Sequence, residues 1–383
     1  MKIAFIYDAV YPWIKGGAEK RVYEIAKRLS ERGHEVHWYS VGWWANDQPL
    51  YMEKDGIIFH GVCQPIDLYK NGKRTINEAL YFAWKLAPVI MREDFDIIDC
   101  QEFPYFPCFV AKIHSIFKKS VLLITWYEVW DKYWYDYIGK KGFFGRIIEK
   151  TTTKLPKKII PISNKIKDDL KIFNVPEEKN YVIPNGVDFN YIQNIKPSTQ
   201  NFDIIYVGRL ISHKNVDVLL KAISKAKITV PNIKCGIIGS GPDLEKLKNL
   251  SKTLRLEDNV NFFGFVEKDE DVYSYMKSSK IFVLPSTREG FPNTILEANS
   301  CGLPAIIVDH EKNAGVGVIK NNENGFIVKL SADEISNKIL YLLKNESELN
   351  KLNKSSIAFA KNYDWELIVS KIEKVYEATL NET

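Results

Sequence analysis

One pattern constrains this chain more than any other: short apolar runs alternate with helical patterns, and the series begins again near the middle. Residues 2–7 form an apolar run suited to a strand buried on both faces. A loop ending in Gly16-Gly17 follows. Val22, Ile25, Ala26 and Leu29 then recur at the three- and four-residue spacing of a helix. Gly33 stops that helix and 35–41 begins the next strand; further strands are expected at 97–98, 121–125, 159–163 and 181–183. The second half repeats the opening with a strand at 203–207, a loop at 208–215 and a helix at 216–226. A strand at 234–238, the turn Gly239-Ser240-Gly241-Pro242 and a helix through Leu244, Leu247 and Leu250 come next, and strands at 259–263, 281–284 and 305–308 complete it.

Alternation of this kind implies two parallel sheets covered by helices. The expected fold is therefore α/β, with two Rossmann-like doubly wound domains, as a length of 383 residues also suggests. The polar stretch 190–201 contains Pro197 and no apolar period, so it reads as a linker between a domain over 1–189 and another over 201–363. Open parallel sheets bind ligands beyond the carboxyl ends of their strands. Two such domains with those ends facing would enclose a cleft.

Composition narrows the partners. Lys+Arg 53 against Asp+Glu 48 gives a net charge of +5, too mild for the basic face that nucleic-acid binding requires. The five cysteines are scattered with no Cys-x-x-Cys pair, which argues against a disulfide framework or zinc site and fits a reducing cytoplasm. Asp8 breaks the opening apolar run and no small-residue cleavage site follows, so that run reads as a strand rather than a leader. No run approaches the ~20 apolar residues needed to span a bilayer.

The chemistry concentrates in 287–304, which follows the strand 281–284. Glu289 lies in the loop and Glu297 on the next helix, flanked by Ile295, Leu296 and Ala298 as on a half-buried face. A carboxylate there suits a pair of vicinal hydroxyls such as those of a ribose. Backbone amides around Gly290, Phe291, Pro292 and Asn293, at the start of the helix, offer donors and a partial positive charge to an anion or a sugar hydroxyl. The competing reading is a helix cap and a solvated helix charge. Gly208 and Arg209 through Lys214 form the first loop of the second half; Arg209 and Lys214 can converge on a diphosphate, or serve as solvated surface cations. Gly239 and Gly241 signal a turn and little more. Gly16 and Gly17 occupy the equivalent first loop of the N-terminal half, as a site for backbone approach or as a plain turn.

Taken together, these residues resemble the retaining two-Rossmann-domain glycosyltransferases, the group 1 or family 4-like enzymes that include sucrose-synthase-like and mannosyl- and glucosyltransferase-like members. The resemblance runs over nearly the whole chain: Gly-Gly-Ala-Glu-Lys-Arg at 16–21, Val-Ile-Pro-Asn-Gly-Val-Asp at 182–188, Tyr-Val-Gly-Arg-Leu at 206–210, Ile-Ile-Gly-Ser-Gly-Pro at 237–242, Phe-Phe-Gly-Phe-Val at 262–266, Asn324-Gly-Phe and Tyr363-Asp-Trp365. It implies that Arg209 and Lys214 hold the diphosphate of a nucleotide-sugar donor and that Glu297 binds the ribose. Glu289 and the Phe291–Asn293 amides would contact the donor sugar, while Gly17 borders the diphosphate from the other domain. The helix at 364–383 would cross back onto the N-terminal domain. The implied reaction moves a hexose to a glycan or lipid-linked acceptor with retention: the acceptor hydroxyl attacks the face the diphosphate leaves, and a leaving phosphate oxygen takes its proton. The donor is a co-substrate, so no cofactor is expected. No metal is expected either, and none of the six histidines has a ligand-pair spacing.

One departure stands out. The family commonly places a histidine near the donor sugar after the strand 121–125, where this chain has Tyr127. Either the donor contact is altered or the enzyme is slow or inactive. The stretch 126–144 is rich in aromatics, and 140–171 holds ten Lys or Arg against Glu149, Asp168 and Asp169. Such a segment suits an anionic membrane face, placing the protein at the inner side of a cell membrane, or a lipid-diphosphate acceptor. Core packing beside a solvated basic face is the plainer reading. Rival functions are a nucleotide-sugar epimerase on the same fold and a non-catalytic nucleotide-sugar or glycan-binding protein. A nicotinamide enzyme is disfavoured, because neither half has Gly-x-Gly-x-x-Gly after its first strand.

Overall fold

The computed structural model describes residues 1–44, 50–65, 69–70 and 73–382. It divides into two compact units, one formed by Met1–Pro184 with the chain from Glu366 onward, the other by Asn185–Trp365.

The first unit is built on a seven-stranded sheet in the order β3-β4-β2-β1-β7-β8-β9. Its strands are β1 (Lys2–Ile6), β2 (Glu35–Ser40), β3 (Tyr51–Lys54), β4 (Ile57–Gly61), β7 (Ile97–Gln101), β8 (Val121–Trp126) and β9 (Lys158–Pro161). Between β4 and β7, β5 (Tyr69–Lys70) and β6 (Lys73–Arg74) form a separate antiparallel pair. The apolar run at the N-terminus becomes β1 because both its faces are covered: Ile3, Ala4, Phe5 and Ile6 are all buried. The helix Gly17–Glu31 turns Val22, Ile25, Ala26 and Leu29 inward, as their spacing predicts, and Gly33 leaves it in the left-handed region (φ 86°). Each fully buried Val, Ile, Leu or Phe side chain of this kind contributes roughly 1.5–3 kcal/mol.

All ladders of this sheet are parallel except β3–β4. That hairpin has a sequence signal, Asp55-Gly56, which the reading of alternation alone passes over. Both residues adopt positive φ (53° and 72°), as a two-residue primed turn requires. Residues 181–183, expected as a strand, make only single backbone bonds, Tyr181 N–H to the Ile159 carbonyl at 2.9 Å and Ile183 N–H to Pro161 at 3.0 Å. Pro184 follows and has no N–H with which to continue a ladder.

The second unit carries a six-stranded, wholly parallel sheet in the order β12-β11-β10-β13-β14-β15. Its strands are β10 (Phe202–Val207), β11 (Cys235–Ile238), β12 (Val260–Gly264), β13 (Ser279–Leu284), β14 (Ala305–Val308) and β15 (Gly325–Val328). Counted within the unit this is the Rossmann order 3-2-1-4-5-6, with the order reversing between β10 and β13. The unit begins ahead of the polar stretch 190–201: the short helix Phe189–Asn194 buries Phe189 and Ile192 in the second core, and Ile195 follows them.

The last helix, Trp365–Asn381, returns to the first unit. Arg28 and Arg32 meet Glu366, Arg32 and His34 meet Glu373, and the Tyr376 hydroxyl donates to Asp99 at 2.6 Å.

Candidate active site

At the reversal point of the second sheet, two loops leave the carboxyl ends of neighbouring strands. The loop after β10 ends in a single turn, Ser212–Lys214, and Asn215 adopts φ 49°, a left-handed conformation that asparagine tolerates. Asn215 Nδ2 donates to the carbonyls of His213 and Pro285, both at 3.0 Å, while the Thr287 N–H donates to His213 at 2.9 Å. These bonds lace the loop to the one after β13. As a result Lys214 Nζ donates to Glu289 Oε1 at 2.5 Å, with the two side chains only 13% and 11% exposed. Sequence reading gave these residues separate tasks; the fold makes them an ion pair. Burial, followed by the charge of Lys214, holds the neighbouring His213 below its ordinary value.

Glu289 is fixed from its other side too. Its N–H donates to the Lys312 carbonyl at 3.0 Å, and its carbonyl accepts from Ala314 at 2.9 Å. Buried Asn313 organises that contact, donating to Ser286 and Val308 carbonyls at 3.1 and 2.9 Å and accepting from the Gly315 N–H at 2.9 Å. Asn313 is a positioning residue that no motif announced; a polar side chain with three backbone partners is visible only in three dimensions.

The helix Asn293–Ser300 starts directly after Gly290, Phe291 and Pro292, with Pro292 in the capping position. Asn293 Oδ1 accepts from Asn185 Nδ2 at 2.7 Å. Glu297, on the half-buried face expected for it, accepts a long 3.4 Å bond from the Tyr273 hydroxyl. Arg209 is exposed, and its carbonyl accepts from the Tyr206 hydroxyl at 2.9 Å. Gly208 lies against the next glycine turn: a Cβ at Gly239 would stand 1.9 Å from the Gly208 carbonyl oxygen, and one at Gly241 would stand 2.3 Å from that of Leu210. Gly239 and Gly241 thus serve close backbone approach. A cation pair, carboxylates and a helix start at one switch point can together hold an anionic, hydroxyl-rich ligand.

The remaining candidates belong to the first unit. Gly16 and Gly17 are exposed at the start of the helix Gly17–Glu31, and a Cβ at Gly16 would collide with the Glu19 carboxylate at 2.2 Å. Arg21 of the same motif is 1% exposed and donates to the Pro184 and Ile183 carbonyls at 2.7 and 3.0 Å. The Tyr127 hydroxyl donates to Gln101 Oε1 at 2.6 Å, its N–H donates to Glu102 at 3.0 Å, and burial pushes the phenol well up. Several other motif residues prove architectural. The Trp365 ring lies where a Cβ on Gly186 would be, 2.5 Å away, and buried Asn324 donates to Asn299 at 2.9 Å. Two of the six histidines approach one another in a way their spacing hid: His37 Nδ1 and His60 Nε2 are 2.8 Å apart, with Glu93 close enough to share a cation. Glu93 is held by Lys2 at 2.6 Å.

The family profile Glycosyltransferase Family 4 matches residues 15–191, and Glycosyl transferases group 1 matches 188–362. An uncharacterized glycosyltransferase of Haemophilus influenzae is 28% identical over 367 residues, covering 93% of this chain and 95% of the relative. Among solved structures, sucrose-phosphate synthase from Thermosynechococcus elongatus is similar with a TM-score of 0.80 at 17% identity, over 100% of both chains. HepE of Anabaena, solved in complex with UDP and glucose, is similar with a TM-score of 0.76 at 19% identity, over 99% of this chain and 100% of that one. The chain belongs to the group 1 glycosyltransferases of the two-domain GT-B type, and its activity is glycosyl transfer.

Proposed function

We propose that this glycosyltransferase moves a hexose from a nucleotide diphosphate sugar to a hydroxyl of a glycan or lipid-linked acceptor, with retention of configuration. The observation that carries this reading is the Lys214–Glu289 pair at the switch point, beside the start of the helix that bears Glu297. A diphosphate arriving there competes with Glu289 for Lys214 and takes a second contact from exposed Arg209. Released from the lysine, the Glu289 carboxylate can accept a hydroxyl of the donor sugar, while Glu297 accepts those of the ribose. Loss of the diphosphate is eased by the two cations, and its departing oxygen is the base nearest the acceptor hydroxyl on the same face. The similarity to a structure holding UDP and glucose supports a nucleotide-sugar donor.

Calorimetric titration with nucleoside diphosphates and their sugars tests this. One nucleoside series is expected to bind, and Arg209→Ala, Lys214→Ala or Glu297→Ala each to weaken it about ten-fold or more, as loss of a charge-assisted bond implies. No binding by any member, or equal affinity in all three variants, defeats the reading. The anomeric configuration of the first product, read by NMR, decides retention separately.

A further inference from the structure

We infer that the first unit holds the hydrocarbon chain of an anionic amphiphile in a cavity of about 550 Å³ that lies beside the helix Ile76–Ile90. Its other walls are the segment after β7 and the helices Tyr133–Ile138 and Gly142–Thr152. That size falls within the roughly 300–1,000 Å³ of small-molecule sites.

The walls select the ligand. Ile76, Phe103, Phe106, Trp134, Phe144 and Ile148 present ring and aliphatic surface. Polar groups that face this space are engaged inside the protein: Tyr105 donates to Glu149 at 3.3 Å, Tyr137 donates to the Arg74 carbonyl at 3.3 Å, and the Arg74 guanidinium is paired with Asp8. Glu78 is 2% exposed, and its carboxyl is hydrogen-bonded to Asp8. Burial and the charge of Asp8 favour its neutral form. A sugar would lose water from several hydroxyls here and recover few bonds, whereas a methylene chain loses none.

The mouth supplies the sign of the head group. Phe144 is 65% and Ile76 49% exposed, so the apolar lining runs out to the surface. From 133 to 152 the exposed charged side chains are Asp136, Lys140, Lys141, Lys150 and Arg146, the last paired with Asp131, and Glu149 is buried. Lys141 itself lines the cavity. A chain inside and an anionic group at the lysines satisfy both features. The inference deepens the proposed transfer, on which it rests for the meaning of the ligand: the amphiphile is the lipid part of the acceptor.

The test uses the full-length protein and octyl, decyl and dodecyl phosphate below their micelle concentrations, with binding followed by calorimetry. Affinity is expected to rise about four-fold per added methylene, the factor that burial of one CH2 implies. Ile76→Asp and Phe144→Asp, both at exposed positions, should each weaken dodecyl phosphate at least ten-fold. Lys140→Glu with Lys141→Glu should weaken it while leaving dodecyl glucoside, which lacks the charge, unaffected. Because a variant can misfold, a dodecyl phosphate brominated at the chain end is added to the unmodified protein; quenching of tryptophan fluorescence that is lost in Trp134→Phe is the expected result. Affinity independent of chain length, absence of that quenching, or capture only by vesicles of anionic lipid with no effect of Ile76→Asp would overturn the inference. Nucleotide titration of the same unmodified protein keeps the two readings apart. Nucleotide binding without alkyl phosphate binding removes the cavity alone, and the converse removes the donor reading alone.

Discussion

At the scale of single residues, the most informative side chains are those whose bonds are spent inside the protein. The Tyr127 hydroxyl is one, held by buried Gln101 at 2.6 Å. Tyr127→Phe would leave the Gln101 oxygen unpaired and should destabilise the first unit by about 1–2 kcal/mol, read as a lower denaturation midpoint. An unchanged midpoint would return that hydroxyl to the ligand. Glu78 makes a prediction about pH. Burial, then the negative charge of Asp8, pushes its carboxyl up to about 8 from 4.5. The folded chain therefore binds a proton that the unfolded chain has released across that interval. The stabilisation is fully present below about 4.5 and is lost as pH rises through about 8. Glu78→Gln should flatten the fall in melting temperature over this window, and a slope equal to that of the unmodified protein would refute the assignment.

At the scale of elements, the aromatic segment after β8 is organised by one acid. Glu149, on the helix Gly142–Thr152, accepts from the Trp130 and Asp131 N–H groups at 2.7 and 2.9 Å, from Trp134 Nε1 at 2.9 Å and from the Tyr105 hydroxyl at 3.3 Å. Burial pushes this carboxyl up to about 7 against the pull of those donors. Glu149→Gln turns an amide NH2 toward donors and should cost about 2–3 kcal/mol, most clearly at pH 8 where the native acid is ionised. Loss of the near-ultraviolet tryptophan signal at lower denaturant would report it. Composition marked this segment as aromatic and basic, but only the contacts separate its inward rings, such as Trp134, from outward Phe143 and Phe144.

At the scale of the whole molecule, the first unit is completed by the end of the chain. Asp99 on β7 accepts from the Thr125 hydroxyl at 2.8 Å and from Tyr376 of the last helix at 2.6 Å. Tyr376→Phe removes one of these and should speed amide hydrogen exchange in β1, β7 and β8 while leaving β10 and β13 as they were. Uniform acceleration across both sheets would mean that the units do not unfold separately.

Legible in the amino-acid order were the class of fold, the restart of the series near the middle, and the strands β1, β8, β10, β13 and β14, because strands buried on both faces are written as continuous apolar runs. It also contained the family motifs and the candidate side chains Arg209, Lys214, Glu289 and Glu297. It did not reveal the antiparallel hairpin β3–β4, whose cue was one Asp-Gly pair, or the short edge strand β15, four residues long. Nor could it tell which partners inside the chain each motif residue would meet. Arg21, Asn324 and Trp365 are as prominent in the sequence as Lys214, yet they are spent on carbonyls, an amide and a glycine of the same chain. The Lys214–Glu289 pair and the cavity beside Ile76 arise from residues far apart in the chain. Local pattern fixes which face of an element is buried, but the distance between two loops depends on all the packing beneath them, and that is decided only in the folded molecule.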